Sequence, residues 1–440
     1  SGVGDTFCGG GSIPFEAARL GCDVYASDLN PIACMLTWGA LNIIGASPEK
    51  RAEIERVQKE VADAVDREIT KLGIEHNEHG DRAKAFLYCL ETRCPETGWM
   101  VPMAPNWVIS RTRNVCGKLI PDFENKRFDI EVVTGASNAE MKSATKGTIQ
   151  DGHLVYELES NMYRTSIKTI RGDYRTEQGE SRNQLRQWAL QDFKPNSDDI
   201  FQERLYCIQW ITQETLERSR SDIYFTAVTK EDLEREEKVE NIVKENLTNW
   251  QKRGLVPDME IEPGAKTDEP IRTRGWRYWH QLFNPRSILS ITYYLEFGMN
   301  HSGVGSVVIG LALCSILDNA SRLCTWNAGH PGSGEYTSNV FRNQALNTNY
   351  SYSSRSVCHV LRTLANFTNF IAPLNGCGKV NTVPVSSSQG NNDIFVTDPP
   401  YADAVHYHEI TDFFISWLRK KSPEPFQEWI WDSRRALAIK

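Results

Sequence analysis

The stretch that decides the fold is DTFCGGGSIPFEAARLG at residues 5–21, which is followed by CDVYASD at residues 22–28. The first segment reads as a glycine turn that leads into an amphipathic helix, and the second reads as a strand that ends in Asp28. Glycines between a strand and a helix let the backbone approach a ligand where any Cβ would collide. The sequence therefore predicts an α/β fold with a ligand site at this turn.

A carboxylate follows the second strand at the place where nucleotide-type sites hold ribose hydroxyls, because Asp28 comes 17 residues after Gly11. We predict a cofactor site made of Asp5, Phe7, Cys8, Gly9, Gly10, Gly11, Asp28, Leu29 and Asn30. The spacing also fits NAD, but the turn lacks the G-x-G-x-x-G order and no hydride-transfer residues follow. A turn that only permits tight packing is the alternative without a function.

The tetrapeptide Asp398-Pro399-Pro400-Tyr401 follows the predicted strand DIFVT, so it is expected at the carboxyl end of a parallel strand. An exocyclic amine on a purine ring is a poor nucleophile, and a catalyst must accept its hydrogen bonds and orient it. Asp398 and the Pro399 carbonyl can accept both protons, and Tyr401 offers a face on which an extruded base stacks. These four residues are our predicted catalytic residues. The alternative is a proline-rich turn with a capping aspartate.

Composition limits the class of protein. The chain has 440 residues, of which 40% are hydrophobic, enough for two or three domains with their own cores. The net charge of −8 argues against a uniformly basic nucleic-acid surface. No long apolar run and no basic leader ahead of an apolar segment are found, so we expect a cytoplasmic protein with no membrane contact.

The α/β pattern at the start resumes near the end of the chain, which implies a large insertion between the two parts. We assign residues 1–48 and 376–440 to one core, and we expect that core to be incomplete at both ends. Residues 49–275 form the insertion, β-rich at about 86–210 and suited to target recognition, and residues 276–375 form a helical segment that packs on the core. Within the insertion, residues 49–72 carry apolar side chains at helical spacing.

With both motifs placed, the chain resembles the large adenine-specific DNA methylases, DPPY-type amino-methyltransferases with an N-terminal domain of unknown function that are often found beside phage-defence genes. The stretches that carry the resemblance are DTFCGGGSIPFEAARLG, ASDLNP, RCPETGW, WRYWHQLFNPRS, TDPPYADAVHYHEITDFFISWLR and WDSRRALAIK.

This resemblance implies a class I, Rossmann-like methyltransferase sheet, S-adenosylmethionine as the methyl donor, and N6 of adenine as the acceptor. The implied partners are duplex DNA with a flipped adenine and proteins of a phage-defence or restriction-modification system. A class I sheet has seven strands, and three are unaccounted for, so we expect the chain to belong to a longer protein.

Related methylases carry a zinc ribbon where this chain reads RCPETG at residues 93–98, and here Thr97 replaces the second cysteine. A tetrahedral zinc site needs four well-spaced ligands, and the cysteines and histidines near this segment do not form two pairs. We therefore predict no metal site.

A cluster of arginines and aromatic residues at 272–286 has the composition used for phosphate contact and base stacking. Its predicted nucleic-acid-binding residues are Arg272, Arg274, Trp276, Arg277 and Arg286. A second basic region spans residues 164–186. For each region the alternative is a solvated face or a tryptophan-rich hinge.

Two other functions stay open. RNA methyltransferases acting on guanine N2 or adenine N6 pair similar motifs, but they usually have little chain between them, whereas here more than 300 residues separate Gly11 from Asp398. The second is a non-catalytic DNA-binding subunit that retains the fold. Binding of the methyl donor discriminates between this subunit and an enzyme.

Overall fold

A computed structural model describes residues 1–357, 373–388, 391–399 and 406–433. Its helices are α1 (Ser12–Arg19), α2 (Pro31–Gly39), α3 (Pro48–Leu72), α4 (Asn138–Ala144), α5 (Ile167–Arg171), α6 (Lys230–Lys252), α7 (Asp268–Arg274), α8 (Pro285–Gly298), α9 (Gly303–Leu317), α10 (Tyr407–Ile410) and α11 (Asp412–Leu418). A π-helical turn at Ala40–Ile44 extends α2, and 3₁₀ turns lie at Gln213–Thr215, Trp279–Leu282, Val385–Ser387 and Glu424–Phe426.

The strands are β1 (Gly2–Asp5), β2 (Asp23–Ser27), β3 (Arg82–Arg93), β4 (Met100–Met103), β5 (Val108–Ser110), β6 (Val115–Asp122), β7 (Arg127–Val133), β8 (Ile149–Gln150), β9 (His153–Leu158), β10 (Asn161–Ser166), β11 (Tyr174–Arg175), β12 (Ser181–Arg182), β13 (Phe201–Ile211), β14 (Ile223–Ala227), β15 (Trp326–Asn327), β16 (Tyr336–Thr337), β17 (Ser351–Arg355), β18 (Gly378–Asn381) and β19 (Ile394–Phe395). The fold is therefore mixed α/β, as the sequence predicted.

The two ends of the chain meet in one small sheet. Its spatial order is β18-β2-β1-β19, and all three pairs are parallel. In chain order this is third, second, first and fourth strand, so the direction in which strands are added reverses between β1 and β19. Open parallel sheets bind ligands at such a reversal, beyond the carboxyl ends of the strands.

The largest sheet is formed mainly by the middle of the chain. It has eight strands in the order β14-β13-β3-β4-β7-β6-β5, with β17 paired to β3 beside β4. Its long central strands, β3 and β13, pair antiparallel along most of their length. Most of its strands lie within residues 82–211, and small sheets of β8–β10 and of β11–β12 accompany it.

β17 belongs to this sheet although its residues lie in the segment 276–375, which we expected to be helical. The Tyr352 ring stacks on the Tyr88 ring of β3 at 4.9 Å, and both side chains are buried. In the part of that segment that the structure describes, α8, α9 and the 3₁₀ turn at Trp279–Leu282 are helical. The strand is stabilised by a contact distant in sequence, which a local pattern does not reveal.

One large hydrophobic core contains side chains from all of the regions into which the sequence analysis divided the chain. It contains buried side chains of α3, α6, α8, α9 and α11 together with Ile32 and Met35 of α2. On α3 the residues at helical spacing face this core, as predicted: Ile54, Val57, Val61, Val65 and Ile69. The boundaries drawn at 48/49 and 275/276 therefore do not divide independent cores. Within the described ranges, every helix is too short or too polar to cross a lipid bilayer.

Candidate functional site

The glycine turn after β1 is held by backbone hydrogen bonds. The Gly11 N–H donates to the Cys8 carbonyl at 2.7 Å, and the Cys8 N–H donates to the Ser27 carbonyl at the end of β2 at 3.1 Å. The Thr37 hydroxyl of α2 donates to the Gly9 carbonyl at 3.1 Å. The turn is therefore fixed to both β2 and α2, and Gly11 has φ 86°, in the left-handed region that favours glycine.

Asp28 connects the turn to the end of β2. One carboxylate oxygen accepts the Gly9 N–H at 3.1 Å, and the other accepts the Asn30 N–H at 3.0 Å. Burial raises the pKa of the Asp28 carboxyl, while the backbone N–H groups that donate to it act in the opposite direction. Each oxygen keeps a free lone pair, so the carboxylate can still accept hydrogen bonds from a ligand.

A hydrogen bond joins the two predicted motifs across the sheet. The Thr397 hydroxyl donates to Asp5 Oδ1 at 2.8 Å, between residues 392 apart in the chain. The same Asp5 oxygen accepts the Phe7 N–H at 3.1 Å, which starts the glycine turn. Asp398 follows Thr397 directly in the chain. Its backbone therefore starts close to Asp5, the last residue of β1.

The predicted cofactor residues divide into supporting and accessible groups. Asp5 and Cys8 are buried, with 2% and 5% of their surface exposed, so they support the turn from the protein interior. Gly11 is also buried, whereas Gly10 is exposed. The remaining residues are half-buried: Phe7, Gly9, Asp28, Leu29 and Asn30.

Asn30 also has a structural role at the start of α2. Its side-chain oxygen accepts the Ile32 N–H at 3.0 Å and caps α2, and Pro31 occupies the first turn of that helix. The buried Cys34 Sγ donates to the Asn381 carbonyl at 3.3 Å, which ties α2 to the end of β18.

The predicted catalytic residues are only partly described. Asp398 and Pro399 are exposed at the end of the segment that follows β19. Pro400 and Tyr401 lie outside the described residues, so the stacking role predicted for Tyr401 stays a prediction. An exposed carboxylate beside the glycine turn can accept hydrogen bonds from a substrate amine.

Three of the predicted nucleic-acid contacts are buried, which corrects that prediction. Arg274 is 7% exposed and donates to two backbone carbonyls, and burial lowers its pKa to about 10. Trp276 packs edge-on against Trp188 at 6.3 Å between ring centres. Arg286 is 6% exposed and pairs with Glu236. Side chains in these positions stabilise the fold and do not reach a phosphate backbone.

The other two arginines of this cluster are accessible but ion-paired. Arg272 pairs with Asp268 at 3.4 Å, and Arg277 pairs with Glu260. In the second basic region, Arg171 is buried and pairs with Asp173, while Arg164 is exposed. The surface available for phosphate contact is therefore smaller than the sequence suggested.

The segment at 93–98 makes protein contacts where related methylases have a zinc ribbon. The Thr97 hydroxyl shares a hydrogen bond with the Tyr156 hydroxyl at 2.6 Å, and Cys94 is fully buried. This hydrogen bond joins the segment to β9. The prediction that these cysteines hold no metal stays a prediction.

Sequence analysis missed a group of potential metal ligands shortly after the tetrapeptide. Ligand atoms of His406, His408 and Glu409 all lie within 4.8 Å of one another. The signal is present in the sequence as H-x-H-E at residues 406–409. Thr397 and Thr37, which position the two motifs, were also missed because single threonines carry no recognisable pattern.

The arrangement at the sheet edge offers a backbone cradle, a carboxylate at the end of β2 and a second, exposed carboxylate after β19. Such an arrangement can hold a nucleotide-like cofactor and present a hydrogen-bond acceptor to a second molecule. No protein-family model matches the chain, and neither a curated protein nor a solved structure does.

Proposed function

We propose that this protein is an S-adenosylmethionine-dependent amino-methyltransferase that acts on N6 of adenine in DNA. The observation that carries the proposal is the meeting of the two motifs at the strand-order reversal of the parallel sheet. The proposal is supported by the hydrogen bond from Thr397, the residue before the tetrapeptide, to Asp5 at the end of β1, where the glycine turn begins. A donor and an acceptor must lie together for methyl transfer, and this is the edge where parallel sheets bind ligands.

The glycine turn and Asp28 suit the donor. The two oxygens of Asp28 each accept one backbone N–H, so the carboxylate is fixed and can accept the two ribose hydroxyls. The exposed Gly10 leaves space for the rest of the donor, because, chain neighbours aside, no atom of the described residues lies within 4 Å of the position that a Cβ would occupy there. When bound, S-adenosylmethionine supplies an electrophilic methyl group.

Asp398 suits the acceptor side. As the amine nitrogen takes up the methyl group, the donor would leave as a neutral thioether and the amine would release one proton to solvent. A carboxylate that accepts a hydrogen bond from this amine orients the nitrogen lone pair and stabilises the positive charge that develops on it. The exposed position of Asp398 permits contact with a base that has left the duplex.

DNA is proposed as the substrate because of the large region between the motifs and the acidic first residue of the tetrapeptide. The eight-stranded sheet inside that region is distinct from the small parallel sheet at the proposed catalytic edge. Base recognition usually needs a separate module, since phosphate contacts alone carry no sequence information. The buried arginines at 274 and 286 do not contribute to it.

Transfer of a labelled methyl group from S-adenosylmethionine to duplex DNA and to RNA tests the proposal. We expect N6-methyladenine in DNA, loss of transfer in Asp398→Ala with donor affinity nearly intact, and a large loss of donor affinity in Asp28→Ala. The matched control is Asp198→Ala, because Asp198 is exposed and distant in sequence from both motifs.

Three results would contradict the proposal. Methylation of RNA without DNA would identify the other substrate class. Absence of donor binding by calorimetry would favour a non-catalytic subunit. Equal loss of donor affinity in Asp28→Ala and Asp398→Ala would show that the two residues do not have separate roles in donor binding and catalysis.

A further inference from the structure

A compact group of three metal-ligand side chains lies at α10, in a part of the chain that the proposed methyl transfer does not use. His406 Nδ1 lies 3.4 Å from Glu409 Oε1, and His408 Nε2 lies 3.8 Å from the same oxygen. The ligand atoms of all three residues fall within 4.8 Å of one another. Both histidine side chains are partly exposed, at 35% and 21%, so an ion in solution can reach them.

Glu409 is held in place by contacts outside this group. Its side chain is 6% exposed, and Oε2 accepts the Lys266 N–H at 2.6 Å. The backbone of Gly264 packs against the carboxylate so closely that an added Cβ would lie 2.5 Å from it. One oxygen is therefore occupied by the protein, and the other is directed at the two imidazoles.

The spacing of the ligand atoms fits an ion better than direct hydrogen bonds. Both nitrogen–oxygen distances exceed the usual range for a hydrogen bond, which ends at about 3.2 Å. Two ligands that each lie about 2.05 Å from a tetrahedral ion are separated by about 3.3 Å. The distances of 3.4 and 3.8 Å are close to that value, so small side-chain movements suffice to enclose an ion.

We propose that His406, His408 and Glu409 bind one divalent transition-metal ion, with Zn²⁺ as the best-matched ion. Imidazole and carboxylate are ligands that Zn²⁺ accepts, and a set of two histidines and one glutamate leaves a fourth position for water or another ligand. The Lys266 N–H acts as the outer partner that orients the carboxylate, as outer hydrogen bonds do in metal sites. This site is independent of the methyl-transfer proposal.

Zinc titration of the full chain after chelator treatment and dialysis tests the site by isothermal calorimetry, without methyl donor or nucleic acid. We expect one Zn²⁺ per chain in the unchanged protein and no saturable binding in His406→Ala/His408→Ala. Glu409→Gln should weaken binding at least about tenfold, since loss of outer-shell partners alone has an effect of that size. The matched control is His79→Ala/His330→Ala, because both of these histidines are exposed and lie outside the group.

Co²⁺ in place of Zn²⁺ identifies the ligand atoms. Ligation by nitrogen and oxygen gives weak visible bands without a sulfur-to-metal charge-transfer band, and we expect this spectrum to disappear in the double variant. Circular dichroism of the metal-free variants checks that they fold. If the double variant does not fold, His406→Ala alone serves, because this side chain is the more exposed of the two histidines.

The proposal is wrong if the unchanged protein shows no saturable Zn²⁺ binding, if His406→Ala/His408→Ala binds as tightly as the control, or if Co²⁺ shows thiolate ligation. One equivalent of zinc in the untreated protein would agree with this site. It would also overturn the prediction of no metal, which was made from the cysteines near Thr97 and did not consider His406 and His408.

Discussion

Asp28 shows how one residue combines a structural and a functional requirement. Its carboxyl is half-buried, which raises its pKa, yet two backbone N–H groups donate to opposite oxygens and favour the charged form. An asparagine would place an NH₂ group against one of these donors. The position of Asp28 after the strand predicted its role in binding a cofactor. It did not indicate that the same carboxylate also accepts a hydrogen bond from the Gly9 backbone.

Sequence and structure disagree at residues whose role depends on burial. Arginines beside aromatic residues occur in nucleic-acid surfaces and also inside folds, and the composition of residues 272–286 does not distinguish the two. Arg274 and Arg286 are buried by segments distant in the chain. Local signals are more reliable: Asn284-Pro285 is a pair typical of a helix start, and the Asn284 side chain accepts the Ser287 N–H at 2.9 Å to cap α8.

His280 predicts a pH dependence of stability. Its ring is fully buried, Nε2 donates to the Asp192 carbonyl at 3.0 Å, and Nδ1 has no partner among the described residues. Burial lowers its pKa to about 4, while the Asp192 carbonyl acts in the opposite direction. Since the unfolded chain has a histidine pKa of about 6.5, the unfolded state binds more protons between these values, and stability falls as the pH falls through this window.

We expect the free energy of unfolding to fall by about 2 kcal/mol more between pH 7 and pH 5 in the unchanged protein than in His280→Gln. Urea unfolding at the two pH values measures this difference. Equal pH dependence in both proteins would show that His280 is not the group responsible.

At the scale of single elements, the turn before α1 depends on one glycine. Gly11 has φ 86°, and an added Cβ would lie 2.8 Å from the Thr37 Cα and 2.9 Å from its hydroxyl oxygen. Gly11→Ala should therefore lower the free energy of unfolding by about 1–3 kcal/mol and weaken donor binding. Gly10→Ala is the matched control for stability alone, because among the described residues, its chain neighbours aside, no atom lies within 4 Å of its added Cβ.

Urea unfolding of the two variants measures the effect, and calorimetric titration with S-adenosylmethionine measures binding. A loss of stability in Gly10→Ala as large as in Gly11→Ala would show that the close approach to α2 is not the cause.

Elements with a strong local pattern were predicted, and elements that depend on distant partners were not. The apolar residues of α3 recur at helical spacing, and they face the core as expected. β17 has the sequence SYSSR, and its small polar residues do not predict a strand. It forms because β3 offers an open edge and Tyr88 stacks on Tyr352.

At the scale of the whole molecule, the chain is organised by long-range contacts. β1 and β19 come from opposite ends of the chain and pair directly, and α3, α6, α8 and α9 share one core although they were assigned to different regions. The sequence predicted the return of the chain to its first sheet because glycine turn and tetrapeptide both follow strands. It did not predict the shared helical core, since apolar stripes do not reveal which helices they face.

Arg286 links these regions, and its removal should destabilise the whole molecule. Its guanidinium pairs with Glu236 of α6, donates to the Ile74 carbonyl at 2.9 Å, and lies 3.9 Å from the centre of the Phe86 ring of β3.

Arg286→Ala leaves the Glu236 carboxylate, which is only 17% exposed, without its main charge partner, and loss of one partner of a buried pair costs about 3–5 kcal/mol. Arg277→Ala removes an ion pair whose side chains are 44% and 53% exposed, so it should cost less than about 1 kcal/mol. Chemical unfolding monitored by tryptophan fluorescence measures both changes, and similar small losses in the two variants would mean that Arg286 does not hold the helical core to the large sheet.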